Sequence, residues 1–341
     1  MKIVVDAMGG DHAPDEIVKG AVCALSKDKE LKVVLTGDEA KISPVLAGLS
    51  YDKSRLEVVH CTEVITNDDA PTLAIRQKKD SSLVVALKLL KEDEEVQGFV
   101  SAGSTGAVLT GALLRVGRIR GISRPAVCPV LPTAKGGKVL IIDAGANAEC
   151  KSVNLCHFAL MGTAYAKAMG VENPRVGLVT NGTEDHKGDP LHQEAHELLK
   201  TLPGINFVGN VEGRDIMSGN IEVAVCDGFS GNIALKTTEG TALAVMQIIK
   251  DNIKASFWAK VGYALFMKKA FKNIKRVMDY SKYGGAVLMG IEKVVVKSHG
   301  SSKSESICAS ILQAKDAAKS GLTQTIKTML ENVDLEVGGE V

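Results

Sequence analysis

Aromatic side chains make up only 4% of this 341-residue chain, with a single tryptophan, which argues against a surface built to stack nucleic-acid bases. Charge of one sign is also missing. The net charge of +1 rules out a role as a polyanion binder for the molecule as a whole, so any basic function must be local. No apolar run approaches the roughly 20 residues of a membrane span. The opening Met1-Lys-Ile-Val-Val-Asp6 is too short for the apolar stretch of a signal peptide. Together these absences predict a soluble or peripheral, cytoplasmic protein. The seven cysteines are odd in number and scattered, which fits free thiols in a reducing compartment better than a disulfide framework. Cys150, Cys156 and His157 form a loose group, but no second pair has ligand spacing, so buried thiols are favoured and no metal is expected.

The composition is otherwise globular, 45% apolar and 24% charged, with 34 glycines. Short β-branched runs at 3–5, 33–35, 56–59, 99–100, 139–142, 176–179, 207–208, 223–225 and 294–296 read as strands. Helical patterns at 15–26, 71–90, 105–115, 152–169, 191–199 and 303–319 lie between many of them. Several strands are apolar at successive positions, as expected when both faces are covered. The alternation predicts a three-layer α/β/α protein with a mostly parallel sheet and ligands beyond the strands' carboxyl ends. No linker divides the chain, so 1–341 reads as one domain, with 233–278 as a projecting helical extension.

Glycine-interrupted loops follow the strands. Asn181-Gly-Thr-Glu-Asp-His-Lys-Gly188 and Cys226-Asp-Gly-Phe-Ser-Gly-Asn-Ile-Ala-Leu-Lys236 carry Lys187 and Asn232, and with the free N–H groups of the following helices they describe a small-oxyanion site, phosphate first. Asn232 is alternatively a helix N-cap. Gly9 and Gly10 permit a tight turn before a helix that Asp11 or Asp15 would cap, and His12 there is a proton carrier or a structural residue. Gly103, Ser104, Thr105 and Gly106 form a possible anion nest. Asp143-Ala-Gly-Ala-Asn147 repeats the design, with Asn147 as a neutral donor and Asp143 holding the turn. None of these loops is a Walker or dinucleotide motif, so ATP and NAD are poorly supported.

Between Asp251 and Asp279 no acid occurs, while Lys254, Lys260, Lys268, Lys269, Lys272, Lys275 and Arg276 alternate with Ile253, Phe257, Trp258, Val261, Leu265, Phe271, Ile274 and Met278. A basic amphipathic helix of this kind suits an anionic bilayer, or equally a core or dimer contact.

The ordered set of strings at 6–14, 101–107, 123–126, 143–147, 187–188, 212–215, 227–236, 283–285 and 299–300 resembles the fatty acyl-ACP:phosphate acyltransferases of bacterial phospholipid synthesis, the PlsX family. The resemblance implies conversion of acyl-ACP and inorganic phosphate to acyl phosphate and free ACP, without cofactor. It also implies a homodimer with the architecture of isocitrate and isopropylmalate dehydrogenases, working at a membrane beside a glycerol-3-phosphate acyltransferase. On that reading Lys187 neutralises phosphate or the oxyanion, and Asn232 and Asn147 donate hydrogen bonds. Backbone N–H groups near Gly103, Gly106 and Gly231 complete the cradle, His12 assists the leaving sulfur, and Asp227 orients Lys187 or Asn232. The rivals are a CoA-dependent phosphate acetyl- or butyryltransferase and, outside enzymes, a membrane-associated scaffold or lipid sensor.

Overall fold

The computed structural model describes residues 1–269, 271 and 283–333. Its strands form two sheets. The larger has the order β3 (Leu56–His60), β2 (Lys32–Gly37), β1 (Lys2–Asp6), β4 (Val96–Ser101), β12 (Val294–Lys297), β11 (Ala286–Met289), β5 (Ala126–Cys128). The smaller runs β6 (Val130–Pro132), β7 (Lys138–Ile142), β10 (Val223–Val225), β8 (Arg175–Thr180), β9 (Asn206–Glu212). Pairing is parallel except at β11 and β6, so the mostly parallel expectation holds, spread over two sheets. Pro129 alone separates β5 from β6, and there the chain passes from one sheet to the other. These short strands and β11 escape pattern reading because three or four residues carry too little periodicity.

Both sheets are covered on both faces. Ile3 and Val5 of β1 enter one apolar cluster and Val4 the other, as strand alternation requires. The first cluster also takes Leu140 and Ile142 of β7, the second Val139 and Ile141, so each draws on both sheets. On one face α1 (Asp15–Lys27) packs against α10 (Ser304–Lys319); on the other lie α3 (Pro71–Gln77), α4 (Ser82–Glu92) and α5 (Thr105–Gly111). Helix α2 (Glu39–Ala47) and the C-terminal α11 (Leu322–Glu331) complete the first group of helices. In the second sheet α6 (Ser152–Ala168) is buried on nearly every side, and α7 (Pro190–Thr201) packs beside it.

Two helices differ from the sequence reading. The pattern at 71–90 breaks into α3 and α4, because Ser81 caps α4 by accepting from the Val84 N–H and Ser82 turns inward to Asp6. The long helix α8 spans Gly228–Ala255, with Asp227 rather than Asn232 at its N-cap. Helix α9 (Phe257–Gly262) and a π-helical turn, Tyr263–Met267, follow. Expectations for Lys272, Ile274, Lys275, Arg276 and Met278 lie outside the described residues.

His157 and Cys156 sit inside α6, both buried, with the His157 ring 3.4 Å from Ser123 Oγ. Burial lowers the His157 pKa to about 4. The unfolded chain therefore binds a proton that the native state refuses, and the stability this neutral ring supports is present above pH 6.5 and lost as pH falls towards 4. His157→Phe should flatten the urea-melt stability profile across that window by about 1.4 kcal/mol per pH unit. An unchanged slope would show that His157 is protonated without penalty.

Candidate active site

A cleft of about 830 Å³ opens at the carboxyl ends of both sheets. Asn232, Leu235, Lys236 and Glu239 of α8 form one wall, and Lys297 with the loop from Ser298 to Ser306 forms the facing one. Thr105, Ala144 and Gly145 lie between.

On the larger sheet the loops are locked by a buried carboxylate. Asp6 accepts from Ser82 Oγ at 2.6 Å, from Ser101 Oγ at 2.8 Å and from the Met8 N–H at 3.2 Å. Burial raises its pKa against the pull of these bonds. Gly9 packs so tightly that a β-carbon would lie 2.6 Å from Asp6 Oδ2 and 2.7 Å from the Gly103 nitrogen. Gly10, at φ +104°, lies against the Gly300 carbonyl, which also accepts the Asp11 N–H at 2.8 Å. Thus Gly9, Gly10 and Gly103 join three loops by close approach. His12 is exposed beside them, and Pro14 rather than Asp11 or Asp15 precedes α1, without a side-chain cap. Ser104 opens α5, which also has no side-chain cap. Thr105 reaches the cleft, while Ser104 and Gly106 do not line it.

On the smaller sheet Asp143 does the same work. Its carboxylate takes the Val127 N–H at 2.8 Å, the Asn147 N–H at 2.7 Å, the Asn147 amide at 2.8 Å and the Ala146 N–H at 3.1 Å. Burial raises its pKa while those bonds oppose the shift. Asn147 is buried and gives its second amide hydrogen to the Pro125 carbonyl at 2.7 Å. Both hydrogens are committed, so the expectation that Asn147 donates to the anion is corrected: it fastens the turn.

The start of α8 is likewise closed. Gly228 N–H goes to the Asn147 carbonyl at 2.8 Å, Phe229 and Ser230 N–H go to Asp227 Oδ1, and Gly231 N–H goes to the Asp227 carbonyl. Asp189 caps α7 in the same way. Donors expected to be free after these two loops are therefore taken by Asp189, by Asp227 and by the Asn147 carbonyl. Gly231 is needed for packing, since a β-carbon there would fall 1.9 Å from the Asp143 carbonyl oxygen. Asp227 is the cap of α8 and touches neither Lys187 nor Asn232 among the described hydrogen bonds.

Asn232, in the second turn of α8, is exposed, and a β-carbon on Gly145 would come 3.5 Å from its amide carbon. Its amide makes no hydrogen bond among the described residues, which leaves it free for a ligand. Lys187 lies half-buried over Gly182 in the β8–α7 loop and does not line the cleft. That loop is tied to α8 by a residue the sequence reading missed. His192 is buried, with Nδ1 2.7 Å from Asp189 Oδ1 and Nε2 3.8 Å from Asp227 Oδ2. The legible signal was Asp189-Pro190, a cap followed by a first-turn proline, which fixes His192 at the third helical position. Lys236, Lys297 and the serines at 301, 302, 304 and 306 were also missed.

Burial disfavours the thiolate form of both nearby cysteines. Burial pushes Cys150 up to about 11 and Cys226 well above the usual thiol range. Asn147→Ala should lower stability by about 1–3 kcal/mol while leaving the KM for phosphate near that of the parent. A tenfold KM increase with unchanged urea melts would return Asn147 to the substrate-binding residues.

A family model described as "Fatty acid synthesis protein" matches residues 1–325. The phosphate acyltransferase of Clostridium tetani is 49% identical over 335 residues, 98% of this chain and 99% of that protein. In fold, the chain is similar to the EutD phosphotransacetylase of Staphylococcus aureus, with a TM-score of 0.60 at 18% identity over 94% of each chain. It is also similar to a 4-hydroxythreonine-4-phosphate dehydrogenase of Klebsiella pneumoniae, with a TM-score of 0.50 at 16% identity over 93% of this chain and 99% of that one. A match along nearly the whole chain, with a relative that shares almost half its residues, shows that the protein belongs to the phosphate acyltransferase (PlsX) family of fatty acid synthesis proteins.

Proposed function

We infer that the chain transfers an acyl group from acyl-ACP to inorganic phosphate, releasing acyl phosphate and free ACP. The observation that carries this reading is the match along nearly the whole chain to the phosphate acyltransferases. The cleft at the strands' carboxyl ends, with an unengaged Asn232 amide and three lysines, supports it. A thioester is already activated, so phosphate attacks its carbonyl directly, and the protein's task is to hold the two together and stabilise the oxyanion. Asn232 serves as the oxyanion donor, and Lys187 and His12 act from loops beside the cleft. The α/β/α plan of isocitrate and isopropylmalate dehydrogenases, 1–341 as one domain and a homodimer belong to the same reading.

Phosphate-dependent release of ACP from palmitoyl-ACP, without nucleotide or metal, tests it, with palmitoyl-CoA and acetyl-CoA as competing donors. Asn232→Ala and Lys187→Ala should each reduce kcat by about 100-fold or more. Near-parent turnover in either variant would remove that residue from the mechanism. Preference for acetyl-CoA would replace the acyl-ACP assignment.

Membrane association is the second part of the proposal. No helix among the described residues is long and apolar enough to cross a membrane. Yet Phe257, Trp258, Leu265 and Phe266 are 71%, 78%, 69% and 82% exposed, beside Lys260, Lys268 and Lys269. Val261 is half-buried and contributes less surface. Such a patch fits an anionic interface. Trp258 is the only tryptophan, so its fluorescence reports the contact directly. Vesicles containing phosphatidylglycerol should shift its emission to the blue, salt should weaken the shift, and Phe266→Glu should reduce it. The absence of any shift with phosphatidylglycerol vesicles would refute the membrane contact.

A further inference from the structure

Lys297 closes β12 in the middle of the larger sheet, opposite Ser101 of β4 and Ala286 of β11. Its backbone is held there tightly; a β-carbon on Gly285 would come 2.4 Å from the Lys297 carbonyl oxygen. The residue is 9% exposed and lines the cleft across from Asn232 and Lys236. Its Nζ donates to the Ser298 carbonyl, and among the described residues no carboxylate lies within ion-pair distance. A cation that is nine-tenths buried and has no counter-ion is costly to keep.

The neighbouring charges are already engaged or more distant. Lys236 on α8 is paired with Glu239 at 2.8 Å, Asp6 is held by Ser82 and Ser101, and Glu16 on α1 takes the Ser304 N–H at 2.7 Å. Asp11, His299, Lys303 and Glu305 are the remaining titratable groups that face Lys297 or share its cleft. Burial first, then repulsion from Lys236, lowers the Lys297 pKa to about 8, against the opposing pull of Asp11 and Asp6.

The reaction inferred above has a particular proton balance. A phosphate oxygen of the monoprotonated dianion bonds to the carbonyl carbon, the C–S bond breaks, and its electron pair leaves on sulfur. Acyl phosphate as the dianion has lost the phosphate proton, and the free thiol has gained one. One side chain that gives a proton and takes one back balances both sides without solvent. We propose that Lys297 is this proton carrier: its ammonium protonates the departing thiolate, and the resulting amine accepts the proton that phosphate sheds. The lowered pKa of Lys297 brings the ammonium closer to the operating pH, where a general acid is most effective. The proposal rests on the phosphate acyltransferase reading of the cleft.

Lys297→Arg keeps the charge but cannot release a proton at neutral pH. Acyl phosphate formation by the parent enzyme is measured first; its absence would sink the underlying reading rather than the role of Lys297. With the parent active, the Arg variant should lose about 100-fold or more in kcat, with little change in KM for phosphate. The parent's kcat/KM should fall above pH 8 as Lys297 loses its proton, and that limb should vanish in the variant. Palmitoyl thioesters of 4-nitrothiophenol, whose thiolate leaves unprotonated, should restore the variant towards parent rates, whereas those of N-acetylcysteamine should not. Parent-like kcat with an unchanged basic limb, or equal losses on both thioesters, would overturn the proposal. Should the Arg variant fail to fold by near-UV circular dichroism, Lys297→Met takes its place. The unaltered enzyme gives a reading of its own: a steep dependence of rate on thiol acidity would refute sulfur protonation outright.

Discussion

The cleft depends on one carboxylate. Asp143, at the end of β7 in the smaller sheet, accepts the Val127 N–H of β5, an edge strand of the larger sheet, and Ala144 returns its N–H to the Val127 carbonyl at 2.8 Å. The same carboxylate fixes Asn147, whose carbonyl receives the first N–H of α8. A single buried side chain thus sets the distance between the two sheets and the place where the long helix leaves. Glycines at 228 and 231 follow from it, because the backbone of α8 presses against this knot with no space for a β-carbon. Buried carboxylates are expensive unless satisfied, and four donors make this one a rigid anchor.

Asp6 plays the matching part on the other side, joining the end of β1 to the start of α4 through Ser82 and to the end of β4 through Ser101. Between these two anchors the walls of the cleft are prearranged, and the mobile chemistry is left to groups that have no other duty. Asn232 has no internal partner and Lys297 has no counter-ion among the described residues. By contrast, Asp143, Asp227 and Asn147, equally polar in sequence, are fully consumed in holding structure. Direct attack on an activated thioester suits such a site, since it requires neither a covalent nucleophile on the protein nor rearrangement of these anchors.

Most strands of both sheets and most helices were legible because their apolar runs and caps are strong local signals, whereas β5, β6 and β11 were too short to show. The glycine loops were legible as loops, but not in their purpose. Pattern alone reads Gly231 as a donor to an anion, whereas its neighbour across space, the Asp143 carbonyl, explains it by packing. Asn232 read equally well as a cap, and only the start of α8 at Gly228 releases its amide for the cleft. Lys297 was invisible for a different reason. A lysine ending a short apolar strand looks like a solvated strand terminus, and its burial between the adjoining β11 and the sequence-remote β4, facing α8, does not show in the local pattern. Contacts between distant segments are what a single chain of letters conceals.

Among the described residues, the buried positions of helix α8 are Gly228, Gly231 and Leu235, all in its opening turns. Beyond them Leu243, Val245 and Ile248 stand in solvent. Water has to order itself around those side chains until some other body covers them, and this standing penalty acts outside the cleft altogether. A stretch of helix that does not line the cleft therefore adds to the apolar surface through which the protein adheres to other bodies.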